Sequence, residues 1–155
     1  MKSKLSLLCA LSLMSFSTTF VHAGDAKQFP GAMCQKELGS VSYAAGTIRN
    51  NSNTGSATMT CPVVRDVISG SISSGHVRMY RATSSTTMCS LNASSSYGTT
   101  GYMQTKFKSG SPGYYTMNFS SMSDYNGAHY YYWCALSASN GSNKSKIISY
   151  RVSEN

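Results

Sequence analysis

Apolar and polar residues alternate in short runs along most of the chain. Ala57, Met59 and Cys61 interleave with Thr58 and Thr60, and Val77 and Met79 interleave with Arg78 and Tyr80. A period of two sends successive side chains to opposite faces of an extended strand, so each run offers one face to a core and one to solvent. This pattern predicts strands at 41–43, 47–49, 57–61, 76–81, 87–91, 102–107, 114–119, 129–136 and 147–152. Turn-forming residues separate them. Ser109-Gly110-Ser111-Pro112-Gly113 and Asn126-Gly127 read as hairpin turns, Ser139-Asn140-Gly141-Ser142-Asn143 reads as a longer one, and Pro62 is expected to limit the ladder after Cys61. No segment recurs at a fixed period, which argues against a solenoid. The expectation is an all-β, single-domain antiparallel β-sandwich.

The N-terminus breaks this pattern. Lys2 and Lys4 precede an apolar run from Leu5 to Phe16, and a small and polar stretch ends at Val21-His22-Ala23. Such an order reads as a secretory signal peptide over 1–23. The run is shorter than the roughly 17 to 25 residues that a membrane helix needs. Residues 24–155 are then one exported domain, secreted or periplasmic, with no transmembrane segment after cleavage.

Export changes the reading of the cysteines. Cys9 leaves with the leader, and Cys34, Cys61, Cys89 and Cys134 remain. An even number in an oxidising compartment reads as two disulfides. Three connectivities are possible. Pairing Cys34 with Cys61 and Cys89 with Cys134, which closes two loops of moderate length, is the expected one. Structural zinc sites favour closely spaced Cys or His pairs, which these cysteines do not form, so neither a metal site nor a cofactor is expected.

Composition supports the β assignment, because Ser, Thr, Asn and Gly dominate the chain after Ala23 and rank low in helix propensity. Thr and the 11 Tyr suit pleated surfaces, whereas Gly and Asn suit turns. A hydrophobic fraction of 41% argues against disorder, despite the abundance of small polar residues. Lys and Arg number 13 against 5 Asp and Glu, a net charge of +8. The cations are scattered in pairs such as Lys106 with Lys108 and Lys144 with Lys146, not gathered in a tract. Nucleic-acid binding is therefore disfavoured, while attraction to an anionic envelope surface is compatible with the charge.

Acid and base catalysis needs titratable groups held together, and the acids after Ala23 are only Asp25, Glu37, Asp66, Asp124 and Glu154. No nucleophile elbow of the Gly-x-Ser-x-Gly type occurs. No catalytic residue is assigned, and the domain is expected not to be an enzyme. Arg65-Asp66 is expected to be an ion pair that is buried or braces a loop.

The densest chemical feature is the run from His129 to Leu136. If Cys134 and Leu136 face the core, Tyr130 and Tyr132 face it too, and His129, Tyr131 and Trp133 form an aromatic row on the other side. Aromatic rings with polar tips suit wet interfaces, so this row is the candidate ligand-binding surface for a polysaccharide or cell envelope. The bland alternative packs it beneath a loop or a second layer. A structural or assembly subunit is the other functional reading, and oligomeric state is left open.

Tyr132-Trp133-Cys134 resembles the Tyr-x-Cys of immunoglobulin-like domains, which implies an inter-sheet disulfide from Cys134 to Cys61. The Trp expected soon after Cys61 is absent, so a jelly-roll order is equally compatible. Gly46-Thr47-Ile48-Arg49-Asn50, Cys61-Pro62-Val63-Val64-Arg65-Asp66 and Ser149-Tyr150-Arg151-Val152-Ser153-Glu154 together resemble small exported bacterial four-cysteine proteins of unknown function. That resemblance implies the domain and the compartment, and no activity.

Overall fold

The computed structural model describes residues 26–66, 70–123 and 127–154, so the leader assigned to 1–23 lies outside the described residues. Eleven strands run in chain order: β1 (Ala26–Pro30), β2 (Gln35–Leu38), β3 (Val41–Ala44), β4 (Thr47–Asn50), β5 (Ala57–Val63), β6 (Ile72–Arg81), β7 (Thr87–Ser94), β8 (Thr100–Lys108), β9 (Gly113–Phe119), β10 (His129–Leu136) and β11 (Lys146–Glu154). They form two antiparallel sheets. One has the order β3-β4-β11-β6-β9 with β1 alongside β11, and the other has the order β2-β5-β10-β7-β8.

The eight strands β4 to β11, without the flanking three, follow the jelly-roll order. Of the seven connections from β4 to β11, six cross between the sheets, and the β7–β8 hairpin stays within one. The immunoglobulin-like alternative is thereby excluded. Cys134 bonds to Cys89, its direct cross-strand neighbour within one sheet, and Cys61 bonds to Cys34. The expected pairing holds, and the inter-sheet bond implied by the Tyr-x-Cys resemblance does not form.

The turns at Ser109–Gly113 and Ser139–Asn143 reverse the chain as expected, but they carry it from one sheet to the other. Neither joins two strands that pair with each other, although Asn140 and Asn143 close a tight reversal with reciprocal backbone hydrogen bonds. The Gly127 turn also joins strands of different sheets, and its Asn126 lies outside the described residues. Pro62 does not end β5, which continues to Val63 against β10. It falls beyond Thr60, the last residue of β5 that β2 pairs, on a stretch whose other edge β2 leaves open.

Alternation fixes the core. Met59 and Cys61 of β5, Val77 and Met79 of β6, Leu91 of β7, Tyr132 and Leu136 of β10, and Ile147, Tyr150 and Val152 of β11 are all fully buried. Burying an aliphatic side chain of this size contributes about 1.5–3 kcal/mol. Two tyrosines cross-tie the layers. Tyr132 of β10 donates its hydroxyl to the Arg151 carbonyl of β11 at 2.8 Å, and Tyr150 of β11 donates to the Pro62 carbonyl of β5 at 2.8 Å. Each ring thus satisfies its buried polar tip on the backbone of the facing sheet. Burial pushes the Tyr150 phenol up to about 12 and the Tyr132 phenol higher still.

Two glycines permit close approach. A Cβ on Gly31, in the 3-10 turn after β1, would lie 2.2 Å from the Ile147 carbonyl oxygen, and one on Gly75 would lie 2.1 Å from the Tyr132 hydroxyl. Arg65 and Asp66 take separate partners instead of forming the single pair expected of them. Arg65 meets Glu154 at 3.4 Å and lies over the Tyr130 ring, and Asp66 meets Lys27 at 2.5 Å. The Cys61–Asp66 and Ser149–Glu154 segments therefore interlock, through Tyr150 on Pro62 and Glu154 on Arg65. No helix among the described residues is long and apolar enough to cross a membrane.

Candidate functional site

β10 is the middle strand of the smaller sheet, so its outward residues lie at the centre of an open face. The register aligns them in three cross-strand rows. Pro62, Tyr131, Asn92 and Met103 form the first. Thr60, Trp133, Ser90 and Thr105 form the second. Thr58, Ala135, Met88 and Phe107 form the third. Neighbouring strands lie about 4.8 Å apart, so side chains within a row touch.

The members of these rows on β10, β7 and β8 other than Ala135, together with Glu37, line a groove of about 520 Å³. Tyr131 and Trp133 provide its aromatic floor, and Met88, Met103 and Phe107 build an apolar wall along β7 and β8. Met103 and Phe107 are 64% and 65% exposed, so the wall stands in solvent. Beside the rings lie two polar residues of β7. Ser90 and Asn92 are buried on this outer side, and the Asn92 amide donates to both the carbonyl and the hydroxyl of Ser90 at 3.2 Å.

Glu37 closes the far end. The pairing of β2 with β5 shifts between Lys36 and Leu38, which leaves Glu37 as the extra residue of a bulge. Its carboxylate turns over the outer face. One oxygen accepts the Thr60 hydroxyl, and the other accepts the Trp133 indole N–H at 2.7 Å. A charge-assisted bond of this length holds the indole in one orientation. Glu37 is the one charged residue lining the groove, and no cation lines it.

Of the three residues expected in the aromatic row, Tyr131 and Trp133 stand together in this groove. His129 shares their strand face but sits at the exposed start of β10, beside a separate hollow near Val63, Arg65 and Tyr130. Sequence reasoning missed Glu37, Met88, Ser90, Asn92, Met103, Thr105 and Phe107. Alternation within the strands predicted at 87–91 and 102–107 puts Met88 and Ser90 on the face opposite Cys89, and Met103, Thr105 and Phe107 on one side, whereas Asn92 lies beyond the first of those strands. What it lacked was the adjacency of β7 and β8 to β10. Among the described residues no three His, Cys, Asp or Glu side chains gather in a metal-binding group.

No family model matches the chain, and no curated protein does. Solved structures do match. A low-affinity xylan-binding module of family CBM86 from Roseburia intestinalis superposes with a TM-score of 0.51 and 13% identity, over 85% of this chain and 97% of that one. The CBM36-1 domain of a multidomain xylanase from the hindgut metagenome of Trinervitermes trinervoides superposes with a TM-score of 0.49 and 15% identity, over 83% of this chain and 96% of that one. At such identities the CBM86 likeness is one of fold: this chain folds as a two-sheet β-sandwich domain of the kind that also serves as a carbohydrate-binding module.

Proposed function

We propose that the domain binds a polysaccharide chain, without transforming it, in the groove over Tyr131 and Trp133. The observation that carries this reading is the solvent-open aromatic floor with its indole clamped by Glu37. A pyranose ring has an apolar C–H face and a rim of hydroxyls. The aromatic faces suit the first, and Asn92, Ser90, Thr105 and Glu37 supply donors and acceptors for the second. The fold shared with a xylan-binding module supports the class of ligand, and the two disulfides support a place outside the cytoplasm.

The groove also refines the chemistry. Net positive charge does not assist it, because no cation lines it. A neutral glycan fits better than an anionic one. An open, shallow face leaves sugar hydroxyls exchanging with water, so single-site affinity falls near the weak end, on the order of 0.1–1 mM.

Trp133 is the single tryptophan of the chain, so intrinsic fluorescence reports on the groove directly. Titration with soluble xylan, mannan and a cello-oligosaccharide is expected to change that fluorescence saturably and equally at low and high salt, because exposed charge contacts would be screened. Trp133→Ala is expected to weaken retention in a glycan-containing native gel about tenfold or more, a loss typical of a central aromatic anchor. Failure of every neutral glycan to bind, or full retention by a folded Trp133→Ala protein, refutes the reading. Self-association that buries the indole would support an assembly subunit in its place.

A further inference from the structure

The outer face of the larger sheet has the opposite electrostatic character. Its register places Arg49, Lys146, Tyr80 and Tyr114 side by side across β4, β11, β6 and β9. At about 4.8 Å between strands, this row spans about 14 Å. Adjoining rows add Arg78, facing Thr116, and Arg151, facing His76 and then Asn118. Lys144 stands just before the first row, at the mouth of a hollow of about 330 Å³ that Arg49, Tyr80, Tyr114 and Lys146 also line.

This arrangement differs from a general excess of positive charge in two respects. Among the described residues, Arg49, Arg78, Lys144, Lys146 and Arg151 form no ion pair, because Glu37 lies on the other sheet while Asp66 and Glu154 meet Lys27 and Arg65. The cations are also interleaved with rings. Tyr80 and Tyr114 lie 4.9 Å apart at 58°, Lys146 Nζ sits 5.6 Å above the Tyr80 ring, and Tyr114 is 72% exposed. Two charges followed by two rings, along one line, match a chain in which anionic groups and ring faces alternate at short intervals.

We propose that this face is a second binding site, for an acidic polysaccharide whose carboxylates meet Arg49, Lys146 and Arg78 while a sugar ring lies against Tyr114. It is independent of the neutral-glycan groove, which occupies the outer face of the opposite sheet. A lipid surface would find little to insert here, because Tyr114 alone of this row is a strongly exposed large apolar side chain.

The test uses polygalacturonate as the probe, with phosphatidylglycerol vesicles and single-stranded DNA as comparison arms, at low and high salt. Polygalacturonate is expected to bind at low salt and to be released at high salt. The K146Q/R78Q protein is expected to bind it about tenfold more weakly, the loss of two exposed charge contacts. Tyr114→Ala is expected to weaken polygalacturonate severalfold while leaving vesicle and DNA binding unchanged. Trp133→Ala is expected to leave polygalacturonate binding intact, whether or not the groove binds neutral glycans. The proposal is overturned by absence of polygalacturonate binding at low salt, by its loss in Trp133→Ala, or by indifference to both the charge variant and Tyr114→Ala. Tighter binding of vesicles or DNA overturns it equally. Melting curves establish that each variant is folded, and Tyr114→Ala, at an exposed position, keeps the test decisive if the charge variant is not.

Discussion

Gly75→Ala adds one methyl group on β6 where the Tyr132 ring of the facing sheet packs against the strand. The new Cβ would lie 2.1 Å from the Tyr132 hydroxyl oxygen and 3.3 Å from its Cζ. Real contacts of this kind start near 3.0 Å, so ring or strand must yield by about 1 Å in a close-packed interior, which costs roughly 1–3 kcal/mol. Displacing the ring also breaks its bond to the Arg151 carbonyl, worth about 1 kcal/mol. Opposing both, alanine restricts the unfolded chain and returns about 0.4–1 kcal/mol. The net loss is about 2–3 kcal/mol, or roughly 8–12 °C in Tm for a domain of this size. Tyr132→Phe alone removes the hydroxyl and costs about 1–1.5 kcal/mol through the unsatisfied carbonyl. In the double variant the clashing atom is gone, so its loss is expected to match Tyr132→Phe alone, leaving a coupling of about 2 kcal/mol. Urea unfolding followed by Trp133 fluorescence measures all four proteins. Additive losses, or a Gly75→Ala protein as stable as the parent, would refute the account of this contact.

Glu37→Gln keeps the shape of the clamp but removes its charge. It is expected to weaken neutral-glycan binding about three- to tenfold, with a stability change under about 1 kcal/mol, as read by paired fluorescence titrations and melts. Reduction of the Cys34–Cys61 and Cys89–Cys134 bonds, separated by 27 and 45 positions, is expected to cost about 4 kcal/mol each in the loop-entropy description and to show as a large fall in Tm with dithiothreitol. Burial, then Arg151 and Arg78, hold the His76 imidazole below its usual 6.5, so the unfolded chain takes up a proton first. Its contribution to stability is therefore complete above about pH 6.5 and declines as pH falls towards the folded value, and His76→Gln should flatten the mildly acidic part of the stability profile. The buried phenols act at the other end: stability is retained below about pH 10 and falls as pH rises towards 12, while phenolate absorbance from Tyr150 grows.

Much of the fold was readable because each core strand carries its own period of two. The run from Ala57 to Cys61 and the run from His129 to Leu136 show which faces are buried without any knowledge of neighbours. β1 and β2 were missed for the same reason. Gln35–Leu38 is exposed on both sides, and Ala26–Pro30 is short and ends in proline, so neither presents an apolar face long enough to register. Pairing between strands is a non-local property. The turns at Ser109–Gly113 and Ser139–Asn143 were recognisable as chain reversals, yet residue types alone do not say whether a reversal stays in its sheet. The site followed the same division. Tyr131 and Trp133 were visible on one strand, whereas Glu37 reaches Trp133 across 96 positions through a bulge that no local pattern marks.

Two of the three residues in the groove's wall are thioethers. Met88 and Met103 flank the aromatic floor in a domain with two disulfides, bonds that persist in oxidising compartments. Unbranched and polarisable, they give the groove a wall that can re-form around occupants of different shape. The same atoms limit its durability. Oxygenation of Met103, more than half exposed, would replace a soft apolar edge with a polar sulfoxide beside the rings. On the proposed reading, peroxide would weaken glycan binding while leaving the sandwich folded, and reduction of the sulfoxide would restore it.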